Sequence, residues 1–110
     1  MDSPDTKLLL TTFSGEEQAV GVIRSLLEEG LIACGTIIPG ARSHYRWKGV
    51  VEESKEVVVL MKTDAVISTR CMERLTAIHP YEIPEIILVD PGTVSGPYAA
   101  WVRESLSNAG

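Results

Sequence analysis

"ACGTIIPGARSHYRWKGVVEESKEVVVLMKT", residues 33–63, is the stretch whose reading decides the fold. Its apolar residues follow no 3.6-residue stripe; they fall in alternating or continuous runs, the pattern of strands. Gly49, within "WKGV", can take the positive φ that a tight turn demands, so the stretch reads as two long strands folded into one hairpin. Pro39 and Gly40 interrupt the first strand, and proline has no N–H to offer a ladder, which predicts a bulge, a bend or an edge position. Beyond them Ser43, Tyr45 and Trp47 share one face, with His44 and Arg46 on the other. The return strand "EVVVLMKT" (56–63) is apolar on both faces and is expected at the centre of the sheet.

Upstream, "KLLLTTF" (Lys7 to Phe13) is a short apolar run, suited to a strand covered on both sides. Ser14 and Glu17 have the spacing of a capping box, in which each side chain satisfies the other's backbone N–H, so a helix should begin there. Ala19, Val20, Ile23, Leu26 and Leu27 form its apolar stripe, and Gly30 ends it. Downstream, "DAVISTRCMERLTAIH" (64–79) places Ile67, Cys71, Leu75 and Ile78 on one stripe, with Asp64 as cap and Pro80 as stop. "EIILVD" (85–90) reads as a fourth strand. After "PGTVSG" a third helix starts with Pro97 in its first turn and Tyr98, Trp101, Val102 and Ser105 on its inner face.

The order βαββαβ with an added C-terminal helix predicts an α+β fold, a ferredoxin-like sandwich with a long central hairpin, as a single domain over residues 1–110. Two helices cover one sheet face. Either Val57, Val59 and Met61 or their alternates Val58 and Leu60 must face something else, and this predicts a homo-oligomer.

A net charge of −5 gives no basic footprint for nucleic acid, and no run approaches the ~18 apolar residues of a membrane span. The acidic N-terminus with its short apolar run is unlike a secretory leader, and Cys34 and Cys71 are expected to be packing residues in a reducing compartment. No zinc spacing, nucleophile elbow, P-loop or dinucleotide fingerprint is present, so the common enzyme classes are not indicated. Glu52, Glu53 and Glu56 read as solvated charge near the hairpin tip. In "HPYEIPEI" (79–86), Pro80 and Pro84 stiffen the chain and can hold His79, Tyr81 and Glu82 in fixed directions. Tyr45, Trp47, Tyr81, Glu82 and Trp101 are the candidates for a ligand cleft or a subunit interface.

Four segments in order, "ACGTIIPG" (33–40), "YRWKG" (45–49), "EVVVLMKT" (56–63) and "HPYEIPEI" (79–86), resemble the CutA family of divalent-cation-tolerance proteins, a likeness running from Leu8 to Leu106. The resemblance implies a cytoplasmic, non-enzymatic homotrimer whose hairpins reach onto neighbours. It also implies a link to metal tolerance, copper above all, with the "HPY" histidine, here His79, as a copper ligand. Its partner there is a cysteine near the end of the first strand, where this chain has Thr11, a poor substitute for a soft thiolate; any copper or other divalent cation is therefore expected to bind weakly. The alternatives are a regulator like the trimeric PII proteins, with a small ligand in the clefts between subunits, a structural scaffold, and an acylphosphatase-like hydrolase. The last is disfavoured by the acidic "SGEEQ" where an anion would sit.

Overall fold

The computed structural model describes residues 5–107. Its elements are β1 (Thr6–Phe13), α1 (Glu16–Glu28), β2 (Cys34–Trp47), β3 (Val50–Asp64), α2 (Ser68–Ile78), β4 (Ile86–Val89) and α3 (Gly96–Ser107). The strands form one sheet in the order β2-β3-β1-β4, every neighbouring pair antiparallel. As the apolar run on both faces predicts, β3 lies inside the sheet, paired to β2 on one side and β1 on the other.

The hairpin closes on Lys48 and Gly49, whose φ angles of 52° and 84° are the left-handed pair of a two-residue turn matched to strand twist. The register slips between Ile38 and Ala41, where Gly40 takes φ 85°, so the expected bulge is real and lies on an edge strand. Strands of 14 and 15 residues span roughly 45–50 Å at about 3.3 Å each, which accounts for the 48 Å long axis of the molecule. The radius of gyration, 14.6 Å, exceeds the roughly 13 Å of a compact chain of this length because the ribbon projects from the body.

α1 and α2 cover one sheet face, where Leu9 and Phe13 of β1 and Val57, Val59 and Met61 of β3 meet Ile23, Leu26, Cys71 and Leu75. The alternates Val58 and Leu60 therefore point to the opposite face, part of which α3 covers by packing on β3 and β1 with Ala99, Val102 and Leu106 buried. On the outer strands of that face Ile38 and Ile87 stay nearly half exposed, at 45% and 49%. No helix among the described residues is long and apolar enough to cross a membrane.

Four local expectations change. The capping box does not form: Gly15 is the N-cap, in extended conformation, and Ser14 Oγ donates to Gln18 Oε1 at 2.7 Å instead. In α1 Val22 takes the buried place expected for Val20 and Leu27, since the stripe meeting the sheet is 19, 22, 23 and 26. Asp64 caps the turn ahead of α2, accepting from Val66 N and Ile67 N at 3.0 Å, and the helix itself starts at Ser68. In α3 the inner face is Ala99, Val102 and Leu106, with Tyr98 and Trp101 left exposed. The Gly30 stop holds: at φ 73° its N–H meets Leu27 O, and Leu31 N meets Leu26 O, a Schellman end.

Gly35 marks where β2 and α1 touch. A Cβ there would lie 2.9–3.0 Å from three side-chain carbons of buried Ile23. Gly35→Ala is expected to destabilise the protein by about 1–3 kcal/mol in urea unfolding. In an Ile23→Ala background, where all three carbons are gone, Gly35→Ala should cost much less; equal stability of Gly35→Ala and the parent would refute the close approach.

Candidate functional site

His79 is the C-cap of α2, held there because its N–H still bonds Leu75 O at 2.9 Å while Pro80 prevents another turn. Its ring is buried, stacked on Phe13 at 4.4 Å between centroids with planes 9° apart, and the Tyr81 ring meets it edge-on at 4.9 Å. Nε2 lies 2.9 Å from Thr12 O and 3.1 Å from Thr11 Oγ1, and Nδ1 lies 3.1 Å from the backbone N of Tyr81. A carbonyl can only accept and an amide N–H can only donate, so the proton sits on Nε2 and the Nδ1 lone pair is taken by Tyr81. Burial pushes the imidazole below its ordinary value, against the opposing pull of the Thr12 carbonyl and Glu56, and so favours the neutral ring.

From this anchor Tyr81 reaches across to β3 and donates its phenol to Glu56 Oε2 at 2.7 Å. Burial resists ionisation of Glu56, but hydrogen bonds from Ser43, Tyr81 and Thr12 outweigh it and hold the carboxyl below the usual range. The Tyr81 phenol moves the other way: burial, then the bond to Glu56, pushes it above its ordinary value. Glu56 stands opposite Ala41 at the foot of the hairpin, away from the tip, so it is partly buried and hydrogen-bonded, contrary to its reading as solvated charge.

Thr12, Ser43, Glu56 and Tyr81 line an open groove of about 990 Å³ between the hairpin and the 81–85 segment, and His79 lies outside its lining. Tyr45, Trp47, Tyr81 and Glu82, expected as site residues, meet there with Glu52, Glu56 and Glu85. Tyr45 Oη and Ser54 Oγ are 2.6 Å apart across the strands. Trp101 does not join them: it lies on α3 beside Tyr98, ring centroids 5.6 Å apart, outside the groove lining. Sequence reasoning missed Glu56 and Ser43 as members; the register that puts Ser43 and Tyr45 on the Glu56 face is the signal that could have found them.

The pattern described as "CutA1 divalent ion tolerance protein" matches residues 7–105. The chain belongs to the CutA1 divalent ion tolerance family. The CutA divalent-cation tolerance protein of Thermus thermophilus is 38% identical over 99 residues, covering 90% of this chain and 96% of the relative. The crystal structure of CutA1 from Ehrlichia chaffeensis superposes with TM-score 0.90 at 30% identity, covering 96% of this chain and 98% of that one. CutA from Synechococcus elongatus gives 0.90 at 35% identity, with 96% and 94% covered. These relatives give no support to the PII-like alternative.

The family resemblance places copper at His79, and the residues around it do not fit a tight copper centre within one subunit. The ring's one bare nitrogen is occupied by the Tyr81 amide, and Thr11 offers a hydroxyl already turned to Nε2. Among the described residues no three His, Cys, Asp or Glu side chains converge as a cation site. Cys71 is buried in the α1–α2 core with its thiol pushed up to about 12, the state of a packing residue.

The buried imidazole makes stability pH-dependent. An unfolded His79 takes a proton near 6.5 while the folded ring resists it, so the unfolded state binds more protons as pH falls below that value. Glu56 acts in a separate window: its contribution is present above 4.5 and disappears only as pH falls through its lowered folded value. The urea midpoint of the wild type is expected to drop between about pH 7.5 and 5.5, with His79→Gln lacking that slope; an identical slope in both proteins would contradict the assignment.

Proposed function

We propose that the protein serves divalent-cation tolerance as a cytoplasmic, non-enzymatic homotrimer of ferredoxin-like subunits. It meets divalent cations, copper among them, weakly and through carboxylates of the groove. The observation that carries this reading is the groove itself, ringed by Glu52, Glu56, Glu82 and Glu85 with Lys55 as counter-charge. Four carboxylates on a concave wall attract cations by their summed field without forming a chelating set. Carboxylate oxygens are also hard donors, which suits several divalent ions and favours none as a thiolate would favour copper.

The non-enzymatic part of the reading is supported by the directions in which Glu56 and Tyr81 are pushed. A general acid or base works best with its pKa near the working pH. Here Glu56 is held ionised and Tyr81 protonated, each moved away from neutrality. Assembly is supported by the hairpin. Beyond the sheet its two strands have only each other, and a two-stranded ribbon alone is marginal in water. Its Tyr45, Trp47, Val50 and Val51 are exposed in the single chain. Contact with neighbouring subunits would cover them and complete the groove wall.

Calorimetric titration with Cu²⁺ tests the cation reading. Replacing Glu56, Glu82 and Glu85 together by Gln is expected to weaken binding roughly tenfold, about 1.4 kcal/mol. His79→Asn should leave binding nearly unchanged. Loss of binding in His79→Asn with full binding in the triple variant would return the metal to the imidazole. Sedimentation velocity is expected to give a trimer, and replacing residues 43–54 by a two-residue turn should release monomers.

A further inference from the structure

We infer that His79 is a positioning residue for the groove: its Nδ1 captures the Tyr81 amide and thereby delivers the Tyr81 phenol to Glu56. This goes beyond the cation reading, because it concerns what sets the groove wall in place. Three observations carry it. The Nδ1 contact, from a side chain to the backbone N–H two residues on, has the geometry of an Asx turn with an imidazole in place of an Asn or Asp oxygen. The same ring is fixed on its other side by Thr12 O at 2.9 Å and stacked on Phe13, so the turn is anchored to β1 and the core. Tyr81, whose N–H is captured, is the residue whose Oη reaches Glu56 at 2.7 Å.

The two nitrogens therefore have different tasks, and they can be separated. Asn at 79 places an oxygen near the position of Nδ1 and can keep the turn, while giving up the donor to Thr12. Gln places an N–H near the position of Nε2 and can keep the bond to Thr12, while giving up the turn. A ring with only a space-filling role would make both variants lose Tyr81 order alike.

Two readouts decide between these roles: hydrogen exchange at the Tyr81 amide, and the nuclear Overhauser contact from the Tyr81 ring to the Glu56 side chain. His79→Gln is expected to speed Tyr81 amide exchange about tenfold, the effect of losing one net hydrogen bond, and to erase the ring contact. His79→Asn should keep exchange within about threefold of the wild type and preserve the contact. Amides of β3 such as Val59 serve as the reference for global opening, so a variant with a weakened fold is still scored on the Tyr81-to-Val59 ratio. An unchanged ratio in His79→Gln, or an equal rise in both variants, overturns the inference.

Discussion

A neutral imidazole held between the carbonyl of Thr12 and the amide of Tyr81 is the constraint on which the rest of the site depends. It ties the end of α2 to β1 and sets the course of the chain toward β4, and through Tyr81 it reaches Glu56 on β3. Each neutral hydrogen bond adds only about 1 kcal/mol net, yet a buried ring left without partners would cost about 1–3 kcal/mol. The asymmetry explains why both nitrogens are satisfied inside the chain and why the ring is a poor place for a cation. A metal at Nδ1 would have to displace the Tyr81 N–H, and one at Nε2 would have to displace the proton given to Thr12 O, where Thr11 offers a hydroxyl in place of a thiolate.

The hairpin and the segment anchored by His79 divide the work of building the groove. The pairing of β2 with β3 supplies one wall, set by the two-residue turn at Lys48 and Gly49 and displaced in register by the bulge at Gly40. The segment after His79 supplies the facing wall, stiffened by Pro80 and Pro84. Glu56 joins the two walls through the Tyr81 phenol, and its hydrogen bonds explain how a partly buried carboxylate stays ionised. With Glu52, Glu82 and Glu85 it gives the groove an acidic lining, in keeping with membership of a divalent ion tolerance family.

Much of the fold was legible because its signals are local. The absence of a helical stripe in 33–63, the Pro39–Gly40 break and the Gly30 stop each act within a few residues, and each has its observed counterpart. The misreadings lie where a neighbour far along the chain decides. Whether Val20 or Val22 of α1 is buried depends on how the helix rests on the sheet, and α3 turned Ala99 inward in place of Trp101 for the same reason. The site was the least legible part: Tyr81 meets Glu56 across 25 residues and His79 meets Thr12 across 67, separations that no periodicity encodes. Family resemblance singled out His79 as a copper ligand; in the fold its two ring nitrogens meet Thr12 O and the Tyr81 amide.

The central claim, that His79 is fully engaged by the fold, is tested most directly by nitrogen NMR of the His79 ring with and without Zn²⁺, a diamagnetic divalent probe. The account predicts a proton on Nε2 and a bare, hydrogen-bonded Nδ1, with both resonances unmoved as zinc is added and the groove carboxylates respond. A zinc-dependent shift of the His79 Nδ1 resonance, or a proton found on Nδ1 in the free protein, would contradict it.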